Sequence, residues 1–141
     1  TYQLIIARKF SPRISVEIAP TINHRNIVRR YVNLDNGAQE QNTLFALGAG
    51  GRFKITQRTA ILIDYLYIFS NYRQDNTINP FYNPLGIGIE IETGGHVFHI
   101  VATNAAAIVT GNYLPYNNES WRGLGIKVGF NISRVFNVGK R

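Results

Sequence analysis

The sequence contains no cysteine among its 141 residues. A disulfide framework, thiol catalysis and a metal site with cysteine ligands are therefore excluded. Long apolar runs are missing as well, because no uninterrupted hydrophobic stretch approaches the ~18 residues that a membrane helix needs. If this chain crosses a membrane, strands have to make the crossing.

Charged residues are scarce, at 16% of the sequence against about 25% in an average soluble domain. Glycine, tyrosine and phenylalanine take their place, with 13, 8 and 8 copies, which is a composition typical of β-proteins. The net charge of +7 favours a polyanionic partner such as nucleic acid, phospholipid headgroups or lipopolysaccharide phosphates. The length suits one domain, so residues 1–141 are expected to form a single β-barrel domain.

Hydrophobic residues alternate with small or polar ones along most of the chain, whereas the spacing of an amphipathic helix is sustained nowhere. This pattern predicts an all-β fold of about seven strands, which span residues 2–10, 14–23, 44–55, 60–69, 85–92, 96–103 and 124–136. The connections alternate between tight turns and long loops, the long ones at residues 23–43, 70–83 and 104–121. An antiparallel up-and-down barrel with its long loops at one end gives this alternation.

A transmembrane barrel and a soluble barrel share that alternation, so the second face of the strands has to separate them. That face carries mainly Gly, Ala, Ser and Asn with scattered charges, which suits a crowded lumen better than a water-exposed surface. We therefore predict a transmembrane β-barrel. Near the short turns an Arg-x-Phe pattern repeats, and we expect its members to form an interfacial girdle: Arg8, Phe10, Arg134 and Phe136.

Five segments of the sequence resemble an uncharacterised family of Gram-negative outer-membrane β-barrel proteins, a domain of unknown function. They are QLIIARKF, TINHRNIV, LFALGAGGRFKIT, IGIEIETGGHVFHI and GFNISRVF. The resemblance implies an outer-membrane location and assigns no biochemical activity. Because members of that family are longer, the chain resembles their C-terminal half. Seven alternating strands with a periplasmic C-terminus also place Thr1 outside the cell, so we expect further strands upstream.

Counting back from the tight turn at Thr93-Gly94-Gly95 places Glu90 opposite His99 on the lumen face. The same counting around Gln57 places Asp64 diagonal to Arg52. We interpret both as structural ion pairs of the lumen. A carboxylate beside an imidazole also suits acid–base chemistry or a pH-sensitive latch.

The sequence offers no convincing catalytic or metal-binding arrangement. No serine is placed beside His99, and the three histidines His24, His96 and His99 lack the spacing of a preformed metal site. The GAGG segment at residues 48–51 continues as a strand instead of opening a helix, which argues against a phosphate-binding loop. We predict a protein that is not an enzyme and uses no cofactor or metal.

Three arginines in the first long loop, Arg25, Arg29 and Arg30, are interleaved with apolar residues. This arrangement resembles a nucleic-acid patch, but at the outer end of a barrel it would meet lipopolysaccharide phosphates, so we predict lipopolysaccharide contacts and no nucleic acid. The third long loop contains an apolar AAAIV run, which suggests that it folds into the lumen or meets a partner.

The function predicted from the sequence is that of an outer-membrane β-barrel protein of a Gram-negative bacterium with a non-enzymatic role. It is either a passive conduit or the membrane-embedded subunit of an envelope complex. The expected partners are outer-membrane lipid, lipopolysaccharide, and upstream strands or another envelope protein at the barrel seams. The alternative is a soluble lipocalin-like β-barrel that binds a small apolar ligand.

Overall fold

Period-two alternation places most of the chain in antiparallel strands. The computed structural model describes residues 1–105, 107 and 109–134. Its elements are β1 (Tyr2–Gln3), β2 (Ile6–Lys9), β3 (Ile14–His24), β4 (Thr43–Lys54), β5 (Thr59–Phe69), β6 (Leu85–Thr93), β7 (His96–Thr103), α1 (Thr110–Tyr116), a 3₁₀ turn (Trp121–Gly123) and β8 (Lys127–Arg134).

Strands β1 and β2 both pair antiparallel with β3, and from β3 to β8 each strand pairs antiparallel with the next one in the sequence. Because β1 and β2 lie end to end on β3, they occupy one strand position, and the sheet curls into a half-barrel of seven strands. Within the described part of the chain, no strand pairs with the outer edge of β8 or with the free edge of β1 and β2. The half-barrel therefore has two open seams.

The last strand is shorter than its alternation predicts. We expected it to begin at residue 124, but β8 begins at Lys127. The 3₁₀ turn over Trp121–Gly123 ends at Leu124, whose φ of 59° is left-handed and incompatible with an extended strand. The predicted strand ran on to Phe136, which lies outside the described residues, as does that part of the expected girdle.

The two faces of the sheet carry opposite chemistry. Large apolar side chains on the convex face are 40–73% exposed along the strands, among them Ile18, Phe45, Ile63, Ile87, Ile100 and Val128. The alternate positions on the concave face are small, polar or buried, such as Ala19, Thr21, Ala46 and Ala60. A sheet that turns its aliphatic residues outward needs an apolar surrounding, which a bilayer supplies. This facing argues against the soluble lipocalin-like barrel, whose apolar side chains would point inward.

Aromatic residues gather near the two ends of the convex face. Tyr67 and Phe69 pack edge to face near the long loops, with 4.9 Å between ring centroids. Phe98 and Phe130 stack at 6.3 Å closer to the short turns. Two aromatic bands with aliphatic side chains between them are typical of strands that cross a bilayer.

Candidate functional site: the lumen face and the loop cluster

Two regions of the barrel carry polar chemistry. The first is the lumen face, by which we mean the concave side of the strands. The second is the loop cluster, by which we mean the described residues of the long connections 25–42, 70–84 and 104–126. The sheet register positions the first region, and contacts among the loops position the second.

The structure brings Glu90 and His99 together, as the register predicted. They are direct partners across β6 and β7, and the His99 Nε2 atom lies 3.2 Å from Glu90 Oε2. Arg52 also reaches this carboxylate from β4: its Nε donates to Oε1 at 3.1 Å and to Oε2 at 3.3 Å. One carboxylate thus faces a guanidinium and an imidazole. The three side chains come from β4, β6 and β7, and the contact between Arg52 and Glu90 reaches across β5.

The predicted Asp64–Arg52 ion pair is wrong. Asp64 does lie diagonal to Arg52, but it faces Gly50 on one side and Gly86 on the other. Its carboxylate lies over Gly86, where an added Cβ would collide with it. Because Arg52 turns the other way, toward Glu90, no salt bridge joins Asp64 to any group in the described ranges.

Glu17 and Asp64 form a separate carboxylate pair on the lumen face. Both pair with Gly50 across the sheet, one from β3 and one from β5. An added Cβ at Gly50 would come 2.8 Å from Glu17 Cγ, so the glutamate side chain lies over this glycine. These carboxylates line a cavity of about 360 Å³ that Arg52 borders. The lumen glycines thus make room for neighbouring side chains as well as for solvent, a role that sequence reasoning missed.

Helix α1 closes part of the lumen at the long-loop end. Leu114 is fully buried and packs against a concave-face cluster of β4 and β5 formed by Leu44, Ala46, Leu66 and Ile68. The neighbouring Tyr113 also packs on this cluster. The third long loop therefore folds inward over α1, which was one of its two expected outcomes, while residues 106 and 108 of its apolar AAAIV run lie outside the described residues. A second cavity, of about 430 Å³, remains between Tyr113 and the strands β7 and β8.

Buried amides and one buried arginine hold the loops together. Asn33, Asn104 and Asn117 are each 0–1% exposed. Asn104 accepts the backbone N–H of Leu85 at 2.8 Å and donates to the Glu119 carbonyl at 2.8 Å. Sequence reasoning missed these residues, and the abundance of Asn in the long loops was the only available signal.

Arg73 joins the second loop to the third. Its Nη1 donates to the Leu114 carbonyl at 2.7 Å and its Nη2 to the Tyr82 carbonyl at 3.0 Å, while its guanidinium lies 5.2 Å from the centre of the Phe81 ring. Burial lowers the pKa of Arg73 to about 10. The side chain is still protonated at neutral pH, so a buried cation holds the two loops together.

The three loop arginines do not form one surface. Arg25 turns inward: its Nη1 lies 3.0 Å from Glu40 Oε1 and 2.6 Å from the Tyr116 hydroxyl, and its Nη2 donates to the Gln41 carbonyl. Its side chain is only 14% exposed, so the expected contact of Arg25 with lipopolysaccharide is corrected. Arg29 and Arg30 stay exposed, and the Tyr31 hydroxyl accepts a hydrogen bond from Arg29, which raises the pKa of Arg29.

Of the Arg-x-Phe residues, Arg8, Phe10 and Arg134 lie at the short-turn end of the sheet, while Phe136 is outside the described residues. The Arg8 guanidinium sits 5.3 Å from the centre of the Phe10 ring, on the convex face. Arg134 ends β8 opposite His96 at the same end. This is where an interfacial girdle would place arginines that reach the headgroups.

Comparison with known proteins decides the family. Residues 1–136 match the family described as "Membrane bound beta barrel domain (DUF5777)", a domain of unknown function. The chain belongs to this family. No curated protein and no solved structure matches the chain.

Membership in this membrane-bound β-barrel family agrees with the resemblance noted in the sequence and with the apolar convex face. Helix α1 is short, and no helix over the described residues is long and apolar enough to cross a membrane. In the same residues, no group of three or more His, Asp or Glu side chains is arranged to hold a metal ion.

Proposed function

We propose that this membrane-bound β-barrel lies in the outer membrane of a Gram-negative bacterium and acts there as a non-enzymatic conduit for small polar solutes. One observation carries the proposal: the convex face is apolar and exposed, while the concave face is lined by glycines and charged side chains. Polar interiors of this kind hold water in transmembrane barrels.

Helix α1 supports a narrowed conduit. Leu114 holds the helix against β4 and β5, which leaves the cavity beside β7 and β8 as open space at the same level. A loop that folds into a barrel restricts the size of the solutes that pass.

The arrangement around Glu90 supports a non-enzymatic role. A general base needs a carboxylate or imidazole that is free to take a proton from a substrate. Arg52 holds both oxygens of Glu90, and His99 is directed at the same carboxylate. The group is better suited to tie strands β4, β6 and β7 together than to transfer protons.

The two open seams support a larger assembly. Unpaired strand edges cost several kcal/mol for each unsatisfied backbone group in hydrocarbon, so β8 and the β1–β2 position need partners inside the bilayer. Upstream strands of a longer barrel or another envelope protein would supply them. The second role considered, a membrane-embedded subunit of an envelope complex, rests on these seams.

Exposed cations support contact with lipopolysaccharide. Arg29 and Arg30 extend from the loop cluster at the end that the proposed orientation places outside the cell. Guanidinium groups bind phosphates through paired hydrogen bonds. Arg25 is excluded from this role because Glu40 holds it.

Reconstitution into a planar bilayer tests the proposal. We expect a stable conductance from the protein purified from its own membranes. The double substitution Glu17→Gln with Asp64→Asn removes two carboxylates that have no cation partner on the described lumen face. The selectivity for cations over anions should therefore fall, which a shift of the reversal potential in a salt gradient measures. Glu92→Gln is the matched control, since Glu92 lies 3.7 Å from Lys54 near the short turns.

Two results would contradict the conduit. The first is a bilayer that stays insulating although the protein has inserted. The second is a conductance whose selectivity does not change in the double variant. Co-purification of a second envelope protein at fixed stoichiometry, with no conductance, would favour the subunit role instead.

A further inference from the structure

The loop cluster encloses a cavity of about 620 Å³ that is separate from the lumen. All three long loops contribute to its wall, through Tyr31 and Glu40 of the first, Tyr72 and Phe81 of the second, and Tyr116 of the third. Its volume falls within the range of about 300–1,000 Å³ that is typical of ligand sites.

Ring packing and hydrogen bonds hold the inner side of the cavity wall together. Tyr72 is 5% exposed and packs against Phe81 with 5.7 Å between ring centroids. Asn33 donates to the backbone carbonyls of Tyr72 and Gln74 at 3.0 and 2.8 Å, which ties the first loop to the second. A site that is already formed needs little ordering when a ligand binds.

Glu40 gives the cavity an unsatisfied polar group. Its side chain is only 5% exposed, and Arg25 holds its Oε1. The second oxygen, Oε2, is buried without a hydrogen-bond partner, and so is Nε of Arg25. A buried polar atom without a partner costs about 1–3 kcal/mol. Glu40 lines the cavity, and its unpaired Oε2 is an acceptor that suits the O–H donor of a hydroxyl group.

The cavity combines aromatic rings with side-chain amides. Tyr31 and Tyr116 are about half exposed, at 51% and 49%, and offer ring surface to a ligand. Asn79 and Asn118 line the same space with exposed side chains. Aromatic rings pack against the C–H faces of a pyranose, while amides and a carboxylate bind its hydroxyl groups.

The charges of the site favour a polyhydroxylated ligand over other classes. A purely apolar ligand would leave Glu40 Oε2 unpaired. An organic cation would suit the aromatic rings, but Arg25 already neutralises Glu40 and lies 5.0 Å from the centre of the Tyr116 ring, and Arg30 adds a positive charge to the wall. We propose that this cavity binds an oligosaccharide, with Tyr31 and Tyr116 stacking on sugar rings and Glu40 and Asn79 binding hydroxyl groups.

Direct binding tests the proposal with the whole protein purified from its own membranes in detergent. A glycan array and the core oligosaccharide freed from lipid A are the saccharide probes. Binding of the core oligosaccharide would place the ligand in the lipopolysaccharide of the envelope, whereas binding only to array glycans would point to free saccharides. Choline and inorganic phosphate are tested as competitors. Conductance is not measured, so the result is independent of the conduit.

The variants Tyr31→Ala, Glu40→Gln and Asn79→Ala should each weaken saccharide binding about tenfold, the loss expected for truncating a central contact. Ile27→Ala is the matched control: Ile27 is in the same loop as Tyr31, is 91% exposed and does not line the cavity. Its binding should stay at the level of the original protein. Asn79→Ala keeps the test valid if Tyr31→Ala or Glu40→Gln fails to fold, because its side chain is exposed.

The proposal is overturned if neither the array nor the core oligosaccharide yields a ligand. It is equally overturned if choline or phosphate displaces the bound glycan competitively, since that would make the cavity a cation or anion site. Saccharide binding that stays unchanged in folded Asn79→Ala and in the other folded variants would place the ligand elsewhere on the barrel.

Discussion

The sheet and the loop cluster are held together by different kinds of hydrogen bond. In the sheet, backbone groups pair in register from β3 to β8, and side chains add only local ties such as Arg52–Glu90. In the loop cluster, side chains of Asn33, Arg73 and Asn104 bind backbone groups of other loops. A single side-chain substitution should therefore disturb the loops far more than the strands.

The largest effect is expected for Arg73→Ala. The substitution removes two hydrogen bonds from a buried cation, each worth about 1.5–3 kcal/mol, and leaves the carbonyls of Leu114 and Tyr82 without that donor. Amides of the second and third loops should lose protection against hydrogen exchange. Arg122→Ala, an exposed change in the same cluster, is the control. Equal loss of protection in β4 and β5 would show that loops and sheet unfold as one unit.

The second prediction concerns the two faces of the sheet. Ile100 on β7 is 47% exposed on the convex face, and its neighbour Val101 faces Gly88 and Gly129 on the lumen face. An arginine on the lipid face costs about 2–4 kcal/mol near the bilayer midplane and less toward its interfaces. The yield of protein that folds into lipid vesicles should thus be lower for Ile100→Arg than for Val101→Arg. The heat-modifiable shift in gel migration measures that yield. Equal yields would reverse the assignment of inside and outside.

Much of the sheet was predictable because side-chain alternation and turn position determine register. Counting from Gly94 and Gly95 was enough to place Glu90 opposite His99. The same reasoning could not find the partner of Arg52. A long side chain on the lumen face can reach more than one carboxylate, and register alone does not tell which one it binds. The start of β8 was also missed, because the left-handed backbone at Leu124 leaves no mark in the apolar pattern.

The loop cluster was far less predictable. Its contacts join residues that are distant in sequence, such as Arg73 and Leu114, and no periodicity relates them. Arg25 illustrates the problem. Its position in a long loop beside other arginines suggested a surface cation, whereas Glu40 and Tyr116 bind it and leave it largely buried. Loop residues that bind one another can be located only once the sheet has brought the loops to one end.

A smaller effect is expected at the β6–β7 turn. Gly95 has a φ of +155°, a conformation that other residues rarely adopt, although an added Cβ would meet open space. Gly95→Ala should lower the free energy of unfolding by about 1 kcal/mol. Gly94→Ala is the matched control, since its neighbourhood is equally open. Chemical denaturation in detergent measures both, and an equal response would show that the backbone conformation at Gly95 is not strained.

The smallest effect is a pH dependence inside the loop cluster. Asp35 accepts hydrogen bonds from the Thr77 backbone N–H at 2.8 Å and from the Thr77 hydroxyl at 2.9 Å, and these bonds lower the pKa of Asp35. A carboxyl whose folded pKa lies below its unfolded value of about 3.9 stabilises the fold above that value, and the stabilisation is lost as pH falls through the folded pKa.

Cleavage of the loop around Thr77 should therefore become faster as the pH falls from neutral to strong acid. An acid-tolerant protease measures this rate. Asp35→Asn keeps an acceptor oxygen but cannot titrate, so its cleavage should change less over the same range. Because Asp35 is exposed, screening by salt should reduce the difference between the two proteins. If cleavage increases equally in both proteins as the pH falls, Asp35 is not the group responsible. The pH dependence of the loop cluster would then come from another titrating group that links the first loop to the second.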